Sequence, residues 1–180
     1  MNGYLDAKYR AFGSKSEAEK AFRGGYPGSR KDRIKIQNKF YPFTSKPVTD
    51  SYSVDAACSG NPGALEFRCV YNKTGKQIFR KGPYKNGTNN IGEFLAIVHA
   101  LIFLKEKGIT RPVYSDSKNA ISWILKKECK TQLSRNKKNE EIFELIERAE
   151  SWLKNNAVIN QVLKWQTEAW GEIPADFGRK

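Results

Sequence analysis

Four acidic residues occupy positions where a carboxylate is unusual. Asp55 lies inside a β-prone run, Glu93 lies at the start of an apolar helical segment, Asp116 ends a short apolar strand, and Asp176 follows the last predicted strand. A carboxylate buried in the middle of a strand is costly unless a cation neutralises it. Either a lysine or a metal ion could supply that charge.

Convergence of these acids would produce a metal site. Carboxylates that lie close together repel one another and have raised pKa values unless cations bind between them. Hard divalent ions prefer oxygen ligands, and Mg²⁺ is the usual ion in phosphate chemistry. Each acid also has an ordinary explanation: Glu93 could oppose the dipole in a first helical turn, Asp116 could cap the next helix, and Asp176 could be a solvated tail residue.

The overall charge favours a polyanionic partner. The 180 residues include 32 Lys and Arg but only 19 Asp and Glu, a formal net charge of +13. Such an excess is typical of nucleic-acid-binding proteins, although it could serve solubility alone. No apolar run approaches the ~20 residues that span a bilayer. Three cysteines without paired spacing indicate a reducing compartment, so we expect a soluble, cytoplasmic protein with no membrane association.

Apolar periodicity predicts an α/β domain over residues 51–180. A capping-box pattern predicts a short helix over about 15–23, and residues 26–50 have the composition of a basic linker. The order β-β-β-α-β-α-α-β predicts a mixed sheet with helices packed on it. The predicted elements are strands Tyr52–Ala57, Leu65–Asn72 and Lys76–Lys81, helix Glu93–Lys107, strand Pro112–Ser115, helices Ser117–Lys127 and Glu140–Asn155, and strand Val158–Gln166.

Four ordered motifs resemble those of type 1 ribonuclease H. Val54–Gly63 (VDAACSGNPG) is similar to the family's first-strand signature, Thr88–Glu93 (TNNIGE) to its second motif, and Tyr114–Ser117 (YSDS) to its third. Asp176 stands where a fourth acid is expected. The resemblance, over about residues 51–176, implies a ribonuclease H-like fold with a five-stranded mixed sheet and helices on both faces.

The resemblance implies an endonuclease that hydrolyses the RNA strand of RNA–DNA hybrids, with 5′-phosphate and 3′-hydroxyl products. Two Mg²⁺ ions, with Mn²⁺ as an alternative, would act as cofactors. Asp55 would bridge both ions, Glu93 and Asp116 would complete one site, and Asp176 would hold the other. One ion would lower the pKa of the attacking water, and the other would stabilise charge on the leaving oxygen. We expect a monomer.

The resemblance also implies the residues that contact the hybrid. RNA is distinguished from DNA by its 2′-hydroxyls in a wide minor groove. The matching family positions are Cys58, Asn61, Thr88, Asn89 and Asn90, several of which are also natural turn formers.

A basic segment over residues 126–138, which begins with Lys126 and Lys127, would grip the DNA strand in such a family member. The segment could equally be a solvated face. Trp123 lies at helical spacing with apolar residues, so we expect it in the core rather than in a stacking platform.

The region before Asp176 departs from the family pattern. The family commonly carries a mobile-loop histidine there, and this chain has Gln166 at the matching position, with Glu168 and Glu172 as other candidate assistants. The only histidine, His99, lies in the middle of a predicted helix and is expected to be structural. We also expect no terminal helix after Asp176, which would leave that residue less supported.

Residues 1–25 resemble the latter half of a hybrid-binding, viroplasmin-like module. Aromatic and basic residues of Tyr4–Phe12 carry this resemblance. The strands that should precede this half are missing from the sequence, so we do not expect the segment to bind hybrid by itself.

The sequence is also compatible with two alternative functions. One is a non-catalytic hybrid- or duplex-binding protein with the same fold, although carboxylates that face a polyanion would weaken binding. The other is an enzyme of the integrase and transposase superfamily. The Cys58–Gly63 turn and the Thr88–Asn90 turn argue against that second alternative.

Overall fold

Residues 46–178 are described by the computed structural model, and they form a five-stranded mixed sheet with helices. They belong to one compact unit that runs from Phe43 to Lys180. The predicted helix over about 15–23 and the segment that resembles a hybrid-binding module lie outside the described residues. In the part of the chain that is described, no helix is both long and apolar enough to cross a bilayer.

The elements follow the predicted order, with a short helix added after the last strand. The strands are β1 (Tyr52–Gly60), β2 (Gly63–Tyr71), β3 (Lys76–Gly87), β4 (Val113–Ser115) and β5 (Val162–Lys164). The helices are α1 (Asn89–Glu106), α2 (Lys118–Lys126), α3 (Glu140–Asn155) and the one-turn α4 (Thr167–Trp170).

β3 and β5 differ most in length from the prediction, and β1 continues past Ala57 to Gly60. β3 continues past Lys81 to Gly87, with an irregular position next to Gly82, whose φ is +104°. β5 is shorter than predicted because the preceding residues form a loop. There the side-chain amide of Asn160 donates to the backbone oxygens of Ile109 and Arg111, at 2.9 and 2.8 Å.

The strand order is β3-β2-β1-β4-β5. β1–β2 and β2–β3 are antiparallel, whereas β1–β4 and β4–β5 are parallel. Tyr52 pairs with Val113 and Ser53 with Tyr114. Extending this parallel register by two residues places Asp116 beside Asp55, so the central strands position two of the four acids together.

Helix α1 packs closely on the sheet at Gly92. A Cβ atom on this residue would lie 2.4 Å from Leu65 Cδ1 and 2.7 Å from Ala56 Cβ, so the approach requires glycine. Ile142 of α3 approaches the same face of the sheet near Gly87. The largest fully buried side chains are those of Tyr114, Phe67, Phe94, Leu65, Ile91, Leu95, Ile97, Leu101, Leu104, Ile121, Ile142 and Leu153.

The opposite face of the sheet is covered by the segment that follows β5. Tyr114 is buried there in a cluster with Trp165 and Ile173, and Leu163 and Trp170 pack against it. The indole rings of Trp165 and Trp170 lie edge-on to Tyr114, with ring centroids 5.6 and 6.0 Å away. Helical structure therefore lies on both faces, but on this face it is the single turn of α4.

His99 and Trp123 test two predictions about burial. His99 is half-buried and stacks on Phe67 at 5.3 Å, and burial together with Lys81 and Arg148 lowers its pKa to about 4. This packed position is the one expected for a structural residue. Trp123 is only half-buried, because it contacts the core edge-on through Phe94 and its remaining surface lines a cavity. The prediction of a core position for Trp123 was wrong to that extent.

Candidate active site

Three of the four predicted acids meet at the end of the central strands. One carboxylate oxygen from each of Asp55, Glu93 and Asp116 lies within 4.8 Å of the other two. Asp55 and Glu93 are each only 8% exposed. The described residues therefore contain a compact, largely buried carboxylate cluster.

Each acid of the cluster comes from a different element. Asp55 lies in β1, Asp116 directly follows β4, and Glu93 is the fifth residue of α1. Because α1 begins at Asn89, its first turn contains no acid, and the expected role of Glu93 against the dipole in a first turn was wrong. The helix cap after Asp116 is Ser117, whose Oγ accepts from the Ala120 amide at 3.2 Å. The capping role considered for Asp116 was therefore also wrong.

Burial makes simultaneous ionisation of the cluster unfavourable. It raises the pKa of Asp55 to about 7, and the charges of Asp116, Glu93 and Asp176 add to this shift. Burial also raises the pKa of Glu93 to about 7, although the Ser117 hydroxyl lowers it. The pKa of Asp116 is raised by burial and lowered by Lys164. A bound cation would reverse these shifts.

Two oxygens of the cluster are buried without a hydrogen-bond partner among residues 46–178, namely Glu93 Oε2 and Asp116 Oδ1. The other oxygen of Glu93 accepts from the side-chain amide of Asn89 at 2.9 Å, which orients the carboxylate. A buried, unpaired carboxylate oxygen is strongly disfavoured unless it binds an ion. A set of hard oxygen donors with this arrangement fits a divalent cation such as Mg²⁺.

Asp176 lies beside the cluster without joining the group that meets within 4.8 Å. It lines the same cavity of about 500 Å³, which Asp55, Glu93 and Asp116 also line. Its charge raises the pKa values of Asp55 and Asp116. Its carboxylate accepts from the Gly178 amide at 2.8 Å.

Asp176 is better supported than the sequence indicated. The Arg68 guanidinium in β2 donates to the backbone oxygens of Ala175, at 2.8 Å, and of Asp176. The expectation that Asp176 would be weakly supported was therefore wrong, because an arginine more than a hundred residues earlier in the chain holds this segment.

The residues predicted to contact the hybrid line two cavities. Cys58 and Asn89 line the acidic one, where the Cys58 thiol also donates to the Gly87 oxygen at 3.3 Å. Asn61, Thr88 and Asn90 line a second cavity of about 550 Å³. Because Thr88–Asn90 are consecutive, the N-cap and the first two residues of α1 contribute to both cavities.

The far wall of the second cavity comes from α2 and the basic segment that follows it. Trp123 and Asn119 lie on the helix side, and Lys130–Leu133 lie on the segment side. Lys126 and Lys127 are exposed at the end of α2. Arg135 is already paired with Glu140 and Glu147, so the basic segment has less positive charge available to a ligand than its composition indicated.

The loop after β5 places the three candidate assistants at different positions. Gln166 is half-buried directly before α4, and its backbone oxygen accepts from the Ala169 and Trp170 amides at 3.0 and 2.9 Å. Glu168 is exposed within α4. Glu172 is exposed after it, but its charge raises the pKa of Asp116, so it lies close enough to affect the cluster.

Lys164 is a residue of the site that the sequence analysis missed. It is half-buried at the end of β5, and its charge lowers the pKa values of Asp116 and Glu93. It pairs with Ser115 in the parallel register of β4 and β5. A parallel alignment of these two strands, anchored on Asp116, would have identified it.

Known proteins resemble this chain over its described part. A ribonuclease H of Agrobacterium fabrum is 35% identical over 119 residues, covering 57% of this chain and 80% of that protein. One from Rhodopirellula baltica is 44% identical over 77 residues, covering 41% of this chain and 46% of that protein, so the chain spans about half the length of this relative. LC11-RNase H1, isolated from compost, has a structure with a TM-score of 0.42 at 17% identity, covering 66% of this chain and 86% of that one. Because the RNase H family model matches residues 50–170, more than half of the 180 residues, the chain belongs to the RNase H family.

Proposed function

We propose that this protein is an endonuclease that hydrolyses the RNA strand of RNA–DNA hybrids and leaves 5′-phosphate and 3′-hydroxyl ends. The observation that carries the proposal is the buried cluster of Asp55, Glu93 and Asp116, with two oxygens that lack partners among residues 46–178. Such a cluster would repel a polyanion unless divalent cations bind to it. Membership of the RNase H family supports the same reaction.

Two divalent ions are proposed as cofactors, Mg²⁺ in the first instance and Mn²⁺ as an alternative. Asp55, Glu93 and Asp116 would hold one ion, and Asp55 with Asp176 would hold the second. Bound ions supply a water of lowered pKa and stabilise negative charge on the leaving oxygen. The buried, unpaired oxygens of Glu93 and Asp116 and the orienting hydrogen bond from Asn89 support this assignment.

The protein's own side chains prepare the site before any ion binds. Burial raises the pKa values of Asp55 and Glu93 to about 7, so both carboxyls are partly protonated at neutral pH, and a bound cation would favour their ionised form. Lys164 supplies fixed positive charge on the side of Asp116. This lysine would limit repulsion between the cluster and a phosphate group of the substrate.

Both cavities take part in the proposed binding of the hybrid. The RNA strand would lie at the acidic cavity, where Cys58 and Asn89 contact its backbone. The DNA strand would lie along the second cavity, between the amides of Asn61 and Asn90 and the wall formed by Trp123 and Lys130–Leu133. Lys126 and Lys127 would add phosphate contacts, because flexible exposed lysines bind phosphates as point charges. The protein would act as a monomer in the cytoplasm.

A substrate panel tests the proposal. The protein is incubated with RNA–DNA hybrid, RNA duplex and DNA duplex of one sequence, each with Mg²⁺ or with EDTA. We expect cleavage of RNA in the hybrid alone, and only with Mg²⁺, with 5′-phosphate ends. Tight hybrid binding without cleavage would instead support the non-catalytic alternative, and equal cleavage of DNA duplex would contradict the specificity.

A further inference from the structure

A row of three charged residues crosses the sheet next to the acidic cavity. Asp55 in β1 is the cross-strand partner of Arg68 in β2, and Arg68 is the partner of Arg80 in β3. Like charges directly opposite one another destabilise a sheet. Two adjacent arginines are therefore stable only where other groups, such as hydrogen-bond acceptors, interact with each of them.

Each arginine has such a group. Arg80 donates from Nε and Nη2 to one oxygen of Glu66, at 3.2 and 2.7 Å. Arg68 instead uses its fork on backbone, donating from Nε to the Ala175 oxygen at 2.8 Å and from Nη2 to the Asp176 oxygen. The guanidinium of Arg68 thus binds two consecutive carbonyl groups of the segment that carries Asp176.

Phe177 provides a second contact between this segment and the same two arginines. The guanidinium carbons of Arg68 and Arg80 lie 4.8 and 5.5 Å from the centre of its ring. Cation–π contacts of this kind are favourable, particularly where the cation is partly desolvated. Phe177 also lines the acidic cavity beside Asp176, so the contact lies at the edge of the site itself.

We propose that Arg68, assisted by Arg80 and Phe177, is a positioning residue that fixes Asp176 beside Asp55 and thereby sets the affinity of the second metal position. The inference rests on the proposed function, since it assigns Asp176 to a metal. Arg68 bonds to the backbone of Asp176 and leaves its carboxylate available to the cavity. Because Arg68 is also the strand partner of Asp55, it fixes both acids relative to one sheet position.

Hydrogen exchange of the metal-free protein tests the contact without relying on activity. The variants are Arg68→Met, Arg68→Lys and Phe177→Ala. Arg111→Met is the control, because Arg111 also lies against an aromatic ring, Tyr71 at 5.7 Å, but its oxygen partner is the Asp50 carboxylate rather than the backbone of residues 171–178. We expect faster exchange over residues 171–178 in the three variants and wild-type exchange there in the control. Arg68→Lys should show the same faster exchange as Arg68→Met, because an ammonium group cannot reproduce the planar fork of the guanidinium.

Metal dependence tests the consequence for the site. In Arg68→Met and Phe177→Ala, the Mg²⁺ concentration for half-maximal cleavage should rise about tenfold, as is typical when groups that orient metal ligands are removed. KM for the hybrid should stay unchanged, and calorimetric titration with Mn²⁺ should show the same weakening. Faster exchange with unchanged metal dependence would overturn the positioning role, and so would unchanged exchange. If the wild-type protein failed to cleave hybrid, the proposed function would fail, while the exchange and Mn²⁺ results would still decide the role of Arg68.

Discussion

Asp55 combines a central strand position with a pKa raised to about 7, mainly because burial disfavours its charged form. Glu93 shares this behaviour, with its pKa also raised to about 7. In both residues the folded-state pKa lies above the ordinary value of 3.8 or 4.5. The folded protein therefore holds more protons than the unfolded chain between these values, and each acid lowers stability as pH rises through that window.

The loss of stability with rising pH gives a prediction for Asp55→Asn. In EDTA, the free energy of unfolding of the wild type should fall relative to that of the variant as pH rises from about 4 to about 7, and the difference should then level off. Comparing the two proteins at each pH removes the opposite contribution of His99, whose pKa is lowered to about 4 in both. The measurement is urea unfolding across this pH range. A difference in unfolding free energy that does not change with pH would contradict a buried Asp55 with a raised pKa.

At the scale of elements, Gly92 links helix packing to the site. It lets α1 approach Leu65 and Ala56, and the next residue is Glu93. Glu93 can reach Asp55 and Asp116 only if the helix lies this close to β1. The neighbouring loop after β5 is fixed differently, through Trp165, Trp170 and Ile173 against Tyr114.

We expect Gly92→Ala to destabilise the protein by about 1–3 kcal/mol, because the added methyl group would overlap Leu65 and Ala56. It should also reduce cleavage by shifting Glu93. Urea unfolding and hybrid cleavage would measure the two effects. Alanine favours helix over glycine by about 1 kcal/mol in a helix interior, so a net gain in stability would show that α1 does not need this close approach.

In the loop after β5, Gln166 and Glu172 are expected to differ in their effect on cleavage. Gln166 has a side-chain amide that does not ionise near neutral pH, and its backbone oxygen accepts the first hydrogen bonds of α4. Gln166→Ala should therefore reduce the cleavage rate much less than Glu172→Gln, because the charge of Glu172 acts on Asp116. Single-turnover rates at saturating Mg²⁺ would compare them. The reverse order would identify Gln166 as the functional residue of this loop.

Several of these elements show what the sequence could predict and what it could not. Strand periodicity placed Asp55 inside β1 and Asp116 at the end of β4, because this periodicity is a local pattern, whereas the parallel pairing of β1 with β4 came from the structure. The start of α1 was missed because Asn89 and Asn90 are natural turn formers, which hid the N-cap residue Thr88 directly before them. The contact of Arg68 with Ala175 joins residues 107 positions apart, and no periodicity reports such a contact.

At the scale of the whole molecule, a chain with a formal net charge of +13 contains a cluster of buried acids. The positive charge would attract the hybrid over long range, while the cluster would act only at one phosphodiester. The basic segment after α2 lies beside the second cavity, so attraction of the hybrid and cleavage of its RNA strand would take place at different parts of the surface. Arg135 contributes less than its charge indicates, because it is paired with Glu140 and Glu147.

Salt dependence tests this arrangement. Replacing Lys126 and Lys127 by alanine should reduce the slope of log K against log salt by about 1 for each phosphate group that the variant no longer binds. The control replaces Lys73 and Lys76 by alanine. These lysines lie at the β2–β3 turn, so their replacement removes the same amount of charge. Hybrid affinity is measured with a catalytically inactive protein in EDTA. Equal slopes for both double variants would show that only net charge matters.

The proposed function requires that Asp55 hold the metal ions at which RNA in a hybrid is cleaved. This requirement is tested by comparing Asp55→Asn with Asp50→Asn, an equivalent change at an acid that pairs with Arg111. Cleavage of an RNA–DNA hybrid is measured with Mg²⁺ and with EDTA. We expect Asp50→Asn to retain wild-type cleavage and Asp55→Asn to fall to the level seen in EDTA, while both bind hybrid. Undiminished cleavage by Asp55→Asn would contradict the proposed metal site.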